Sequence, residues 1–310
     1  MKRDDIVKGI CLQRNYNTSD FKEIGEGGSG FVYKIKKDTV EFAVKVVTEK
    51  KLLPRFQVEL ATTKSLAGNG AIPIVEDGTW EHNSFYIMPL MTPLSLHRFE
   101  NYGQIVAVII KICNILKSFA DRGIFHRDLK PNNIVIDLDT KEIKLIDLGL
   151  VKDIYKSSDL TREHDRIGSL TFIAPERVRP VRNSTIDTEK SDVYSFGMTA
   201  WALLAEEKMG FGGQYSPEDL HVSFEARGID FRGISAIQKI IQQCTAINPA
   251  QRPTFSEIHR ELSSLKHRDS HLSDFYSNSQ LAFRQTKPDF VVWQETDDIV
   301  RVLNITTANK

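Results

Sequence analysis

Between residues 126 and 149 the chain reads His126-Arg-Asp-Leu-Lys-Pro-Asn-Asn133, then Ile134-Val-Ile136, a polar break Asp137-Leu-Asp-Thr-Lys141, a second apolar run from Ile143 to Ile146, and Asp147-Leu-Gly149. Two short apolar runs flanking turn-forming residues read as a hairpin. A hairpin closes its open end, so Asn133, just before the first strand, falls beside Asp147, just after the second. Two oxygen-bearing side chains then converge on one point, which suits a hard octahedral Mg²⁺ also bound to phosphate oxygens. Asp128 precedes Asn133 in the same loop and can accept the proton of a hydroxyl while orienting it for attack. The plain alternative for each acid is a solvated loop carboxylate.

A second constraint lies upstream. Gly25-Glu-Gly-Gly-Ser-Gly-Phe-Val32 fits G-x-G-x-x-G-x-V, which also resembles a dinucleotide fingerprint. That fingerprint opens a helix, whereas the residues after Gly30 are strand formers: Phe31, Val32, Tyr33, Lys34, Ile35. The other common phosphate loop needs Lys after its last glycine, and here Phe31 follows. A flexible hairpin turn that lets backbone approach phosphates remains, with a plain glycine hairpin as its rival. Farther on, Phe42-Ala-Val-Lys45 reads as a strand. Alternation puts Ala43 and Lys45 on one face and Val44 and Val46 on the other. A lysine among valines needs an anion partner if it is buried, and Glu59 is the best placed. Glu59 belongs to a helical segment that starts near Pro54, with Phe56, Leu60 and Thr63 on one stripe. A surface lysine on an edge strand is the other reading.

Composition narrows the function classes. The 310 residues contain 41 Lys and Arg against 41 Asp and Glu, so the formal net charge is zero. Binding nucleic acid or an anionic membrane as a main task calls for a basic excess, so neither is expected as a partner. Cys11, Cys113 and Cys244 are widely separated and lack C-x-x-C spacing, which excludes a disulfide framework or zinc knot and fits a reducing compartment. The charged start lacks the apolar core of a secretory signal. The apolar stretch at 105–116 contains Lys111 and Asn114 and is taken as too short to span a bilayer. A soluble, cytoplasmic protein is the expectation, and a delivered effector would look the same. Strands are expected at 21–24, 31–35, 41–47, 72–75 and 85–88, and helices at 105–120 and across 191–265. The tail, 266–310, is polar, yet Phe275, Tyr276, Phe283, Phe290 and Trp293 make it too apolar for a pure linker, and part of it is expected to dock on the main body.

Taken together, H-R-D-x-K-x-x-N, D-L-G, Gly168-Ser-Leu-Thr-Phe-Ile-Ala-Pro-Glu176, Asp192-Val-Tyr-Ser-Phe-Gly197 and Asn248-Pro-Ala-Gln-Arg-Pro253 resemble the eukaryotic-type (Hanks-type) serine/threonine protein kinases. The likeness runs from about residue 21 to 265 and implies an α+β, two-lobed fold. A small β-rich lobe would cover 21–91 and a larger helical lobe 92–265, with an N-terminal extension at 1–20. It implies ATP and Mg²⁺, with Mn²⁺ as a substitute, and transfer of the γ-phosphoryl group to Ser/Thr hydroxyls of proteins, this chain's own included.

Carried over residue by residue, the resemblance makes Asp128 the base, Lys130 a charge partner of the transferred group, and Asn133 and Asp147 the metal ligands. Lys45, braced by Glu59, would hold phosphates under the loop of Gly25, Glu26, Gly27, Gly28, Ser29, Gly30 and Phe31. Ile24, Val32, Ala43 and Val135 would sandwich the base, with Met88 at the back and Pro89 and Met91 in the hinge. Arg127 would grip an activation-loop anion, from Thr161 once phosphorylated or from Asp165, and Ser169 would stand at the threonine position of the segment. Glu176 would pair with Arg252, and Asp192 would brace the catalytic loop. Two departures are mild: Leu148 replaces phenylalanine in D-F-G, and the interval from Lys45 to Glu59 is short. A non-catalytic relative would lack Lys45, Asp128 or Asp147, and all three are present. A small-molecule kinase would lack the A-P-E segment.

Overall fold

Alternation of apolar residues builds the first sheet. Its five antiparallel strands, β1 (Lys22–Gly27), β2 (Gly30–Lys37), β3 (Val40–Val47), β4 (Glu76–Trp80) and β5 (Asn83–Pro89), lie in the order β1-β2-β3-β5-β4. This computed structural model describes residues 2–27, 30–148, 170–178 and 186–268, without the side chains of 27 and 265–268. The expectations for Gly28, Ser29, Thr161, Asp165, Ser169 and the tail beyond 268 lie outside the described residues.

Each face of the sheet has its own core. On one, Phe31, Tyr33, Ile35, Val44, Val46, Phe85 and Ile87 pack against Ile6, Val7, Ile10 and Cys11 of helix α1 (Arg3–Arg14). On the other, Ala43, Val47, Ile72, Tyr86, Met88 and Val135 pack with Phe56 of α2 (Leu53–Leu66). Pro54 lies in the first turn of α2, where a missing N–H costs nothing. The buried stripe of α2 is Phe56, Glu59, Thr63 and Leu66, so the carboxylate replaces the expected Leu60, which is only partly buried. Strand β4 begins at Glu76, beyond the stretch expected at 72–75, because pairing with β5 and not local propensity sets it. Gly30, at φ +132°, closes the loop where a Cβ would come within 2.2 Å of Val46 O.

These elements form one compact unit, Met1–Leu96, together with His126–Asp128 and Asn132–Arg166. A three-stranded sheet belongs to it: β6 (Thr92–Pro93), β7 (Ile134–Ile136) and β8 (Ile143–Leu145). The second unit comprises His97–Phe125, Leu129–Pro131 and Ile167–Lys310. Its helices are α3 (Tyr102–Ala120), α4 (Pro175–Val178), α5 (Thr188–Leu204), α6 (Ile234–Cys244) and α7 (Phe255–Arg268). Every residue of α5 from Ser191 to Leu204 is buried, as expected of a helix surrounded by others. Residues 205–233 were expected to be helical in character, yet among the described elements no helix falls there.

One expectation about length is corrected. Helix α3 runs for 19 residues and is long and apolar enough to cross a membrane by length and composition. Half of that apolar window is buried inside the protein, where α3 packs on α5 and α7, so the same greasiness is accounted for by a core.

Candidate active site

Lys45 lies in the middle of β3, opposite Val32 of β2 and Tyr86 of β5, and is 6% exposed. Its Nζ is 2.5 Å from Glu59 Oε1 and 3.0 Å from Asp147 Oδ1. Burial works against the Lys45 ammonium, but Asp147, Tyr86 and Glu59 outweigh it and hold its pKa well above the ordinary lysine value. Glu59 is fully buried. The same Oε1 accepts a second hydrogen bond, from the Tyr86 hydroxyl at 2.7 Å, while Oε2 has no hydrogen-bond partner among the described residues. Burial raises the pKa of Tyr86 well above the phenol value, Lys45 opposes this and Glu59 adds to it, so the phenol keeps its proton and donates. The Tyr86 ring stacks on Phe56, centroids 5.3 Å apart, which fixes the hydroxyl against α2.

Sequence reasoning passed over Tyr86, because a tyrosine in an apolar strand reads as core. Its place two residues before Met88 on the Lys45 face of the sheet was the available signal. Tyr86→Phe keeps the stack and removes one donor from a buried carboxylate. It should lower stability by about 1–3 kcal/mol in urea unfolding, and an unchanged midpoint would show that the hydroxyl contributes nothing.

The loop before β7 is tied by short hydrogen bonds. Asn133 Nδ2 donates to Asp128 O at 2.7 Å and to Asp128 Oδ2 at 3.1 Å. Ile146 N donates to Asn133 O at 3.0 Å, which brings Asn133 to the residue before Asp147. His126 Nε2 is 3.1 Å from Ile146 O, and its Nδ1 accepts from Asp128 N at 3.4 Å, so the ring hydrogen belongs on Nε2. Arg127 and Asp147 have φ of 66° and 60°, left-handed conformations that cost side-chain-bearing residues about 1–3 kcal/mol each. Such strain survives only where the surroundings over-determine it. One of the two lies in the loop before β7, the other just after β8.

The donor set fits a hard cation. With its amide nitrogen committed to Asp128, Asn133 has its carbonyl oxygen left to offer, and Asp147 supplies a carboxylate whose side chain is 26% exposed. Among the described residues no group of three or more His, Cys, Asp or Glu gathers to form an all-protein cage. One carboxylate and one amide oxygen, completed by water and phosphate, is the mode Mg²⁺ favours.

Around Lys45 the second sheet-face core supplies an apolar floor. Ala43 and Met88 are cross-strand partners, Val135 is buried with them, and Val32 and Met91 pack at the margin. Pro89 is paired opposite Phe42. Ile24 is 47% exposed on β1, and the Phe31 side chain lies on the α1 face, which leaves its backbone for a nucleotide. Gly25 and Glu26 pair with Val32 and Phe31 in the β1–β2 hairpin, and Gly27 pairs with Gly30.

In the second unit Lys130 is half-buried and Asp192 is 1% exposed. Arg252 there grips Glu176 through both guanidinium ends, at 2.7 and 2.9 Å.

A buried lysine shared by a helix carboxylate and a loop aspartate, with His126, Asp128 and Asn133 in the loop before β7, sits on an α+β scaffold. The model of the protein kinase domain matches residues 18–262, and the chain belongs to the protein kinase family, with its two-lobed α+β fold. Members use ATP and a divalent metal ion. The chain is 26% identical over 261 residues to serine/threonine-protein kinase pkn3 of Myxococcus xanthus, covering 76% of this chain and 47% of that protein. It is 25% identical over 263 residues to a putative mitogen-activated protein kinase kinase kinase 7-like protein of Drosophila melanogaster, covering 78% of this chain and 64% of that one. Over 166 residues, 52% of this chain, it is 30% identical to vascular endothelial growth factor receptor 2 of Coturnix japonica, where it covers 12%. The chain thus spans less than two thirds of the length of these relatives.

Proposed function

We propose that this chain is a serine/threonine protein kinase that transfers the γ-phosphoryl group of ATP to hydroxyls of protein substrates and of itself. The observation that carries this reading is the Lys45 ammonium, buried and held by both Glu59 and Asp147. A charge so costly to bury is kept ready for another anion, and the phosphates of a nucleotide are the anion that suits it.

Ala43, Val32, Met88, Met91 and Val135 receive the flat base, with Ile24 at its exposed edge and Pro89 in the hinge. Backbone N–H groups from Gly25 to Gly30 cover the phosphates. Asp147 and the carbonyl end of Asn133 would hold Mg²⁺, or Mn²⁺ in its place, which when bound neutralises charge on the phosphate oxygens. The Asp128 carboxylate accepts the proton of the attacking hydroxyl. The hydroxyl oxygen bonds to the γ-phosphorus, the bond from that phosphorus to the bridging oxygen breaks, and ADP departs with the electron pair. Lys130 offsets charge on the group in flight. Serine and threonine are favoured over tyrosine by Lys130 in H-R-D-L-K and by Ser169. Arg127 meets the activation-segment anion, whether Asp165 or phosphorylated Thr161. Glu176, Arg252 and Asp192 maintain the scaffold. Three free, buried cysteines suit a reducing compartment such as the cytoplasm.

Incubating the purified chain with Mg²⁺, γ-labelled ATP and a mixed protein substrate should yield phosphoserine and phosphothreonine. Phosphotyrosine alone would overturn the substrate class. No transfer to any protein, with phosphorylation of a small molecule instead, would overturn the kinase reading itself.

A further inference from the structure

We propose that Arg3 of helix α1 is a positioning residue for the nucleotide, acting by clamping the glycine hairpin and masking its two carboxylates. This rests on the assignment of that hairpin to ATP.

Helix α1 lies ahead of residues 18–262, the part that matches the protein kinase domain, so that match assigns it no role. It is docked along its length. Ile6, Val7, Ile10 and Cys11 are buried on the sheet, and Gly9 lies so close to the Trp80 ring that a Cβ there would clash at 2.2 Å. Arg14, the last residue of the helix, donates to Asp77 O at 3.3 Å, and beyond it Tyr16 donates to Glu76 at 3.1 Å. A helix held this firmly presents its first residues in a fixed place.

Those first residues meet the glycine hairpin. Arg3 Nη1 donates to Glu23 Oε1 at 2.9 Å, Nη2 bonds Glu26, and the guanidinium carbon lies 5.2 Å from the centre of the Phe31 ring. Glu23 and Glu26 flank Gly25 on β1, and Phe31 is the cross-strand partner of Glu26 on β2. One guanidinium therefore spans both strands next to the loop. The Tyr33 hydroxyl extends the network, 2.7 Å from Asp4 Oδ1 and 3.0 Å from Glu23 Oε2.

Two consequences follow from charge and order. The hairpin is held before nucleotide arrives, so less ordering remains to oppose binding. Glu26, inside the phosphate-binding motif, would repel a polyphosphate, and Arg3 offsets that charge together with the charge of Glu23. Both pairs are partly exposed, Arg3 at 42%, so water screens them and the effect is one of a few fold.

A double-mutant cycle on the full chain tests this, reading Kd and KM for ATP and kcat. Arg3→Ala should raise Kd and KM for ATP by about three- to tenfold with kcat little changed. Arg3→Lys, which keeps one charge without the fork, should fall between. In a Glu23→Gln/Glu26→Gln background, Arg3→Ala should change neither constant, because nothing is left to mask. A role in folding alone would lower the melting temperature equally in both backgrounds and leave KM unmoved. An unchanged KM in Arg3→Ala, or an equal rise in both backgrounds, overturns the inference. A wild type that binds no ATP overturns both this and the kinase reading, whereas one that binds ATP without coupling overturns this one alone.

Discussion

Asp147→Asn should reduce phosphotransfer by about 10³-fold while leaving the melting temperature near that of the wild type. The two halves of this expectation have separate causes. Asparagine tolerates the left-handed backbone at φ 60° better than most residues, and its oxygen can still accept from Lys45, whose Nζ is 3.0 Å from Asp147 Oδ1. Lys45 also keeps Glu59, so no buried charge is abandoned. What is lost is the negative charge that a divalent cation requires, and several kcal/mol of transition-state stabilisation go with it, each 1.4 kcal/mol worth tenfold in rate. Asp147→Ala should be equally inactive but less stable, because alanine takes the left-handed conformation at a cost of about 1–2 kcal/mol. Asp128→Ala makes the contrast. It should lose turnover and keep ATP affinity, since the role proposed for that carboxylate is toward the incoming hydroxyl. An Asp147→Asn protein that turns over like wild type would remove the metal-ligand role.

What could be read in the sequence was whatever local spacing dictates. The β7–β8 hairpin follows from two apolar triplets around Asp137 and Asp139, and its closure through Ile146 N to Asn133 O needs no distant partner. The start of α2 was legible from Pro54. Other features depend on contacts far along the chain. Strand β4 contains Glu76, Asp77 and Gly78, poor strand formers, and exists because β5 pairs with it. Glu59 was legible as the partner of a buried Lys45, but its full burial ahead of Leu60 depends on Lys45 on β3 and Tyr86 on β5, which satisfy the carboxylate there. Helix α1 was passed over as an extension. Ile6, Val7, Ile10 and Cys11 carry a helical period, but Lys2, Arg3, Asp4 and Asp5 in front of them gave the segment the look of a polar lead-in. Those same charges reach Glu23, Glu26 and Tyr33, which no local rule connects to them.

Arg252→Ala should destabilise the second unit by about 3–5 kcal/mol, the largest single loss of stability expected for the chain. The guanidinium is 2% exposed, and each of its five N–H donors has a partner. Nε donates to Ala246 O at 2.7 Å, Nη1 to Glu176 Oε1 at 2.7 Å and Lys190 O at 3.0 Å, and Nη2 to Glu176 Oε2 at 2.9 Å and Ile247 O at 3.2 Å. It also lies 4.9 Å from the centre of the Tyr194 ring. Alanine strands three carbonyls and the Glu176 carboxylate, which keeps only the Ser191 hydroxyl among these contacts, at 2.9 Å. Lysine is no remedy, because three donors on one nitrogen cannot reach five acceptors spread around a planar fork. Glu176→Gln should be milder than either, since the guanidinium keeps its three carbonyls and the amide oxygen can still accept one bond. The order Arg252→Ala at least as damaging as Arg252→Lys, with Glu176→Gln least, is what denaturant midpoints should show. If Glu176→Gln costs as much as Arg252→Ala, the charge pair and not the carbonyl network carries the stability. If Arg252→Ala costs under about 1 kcal/mol, the arginine is no structural anchor at all.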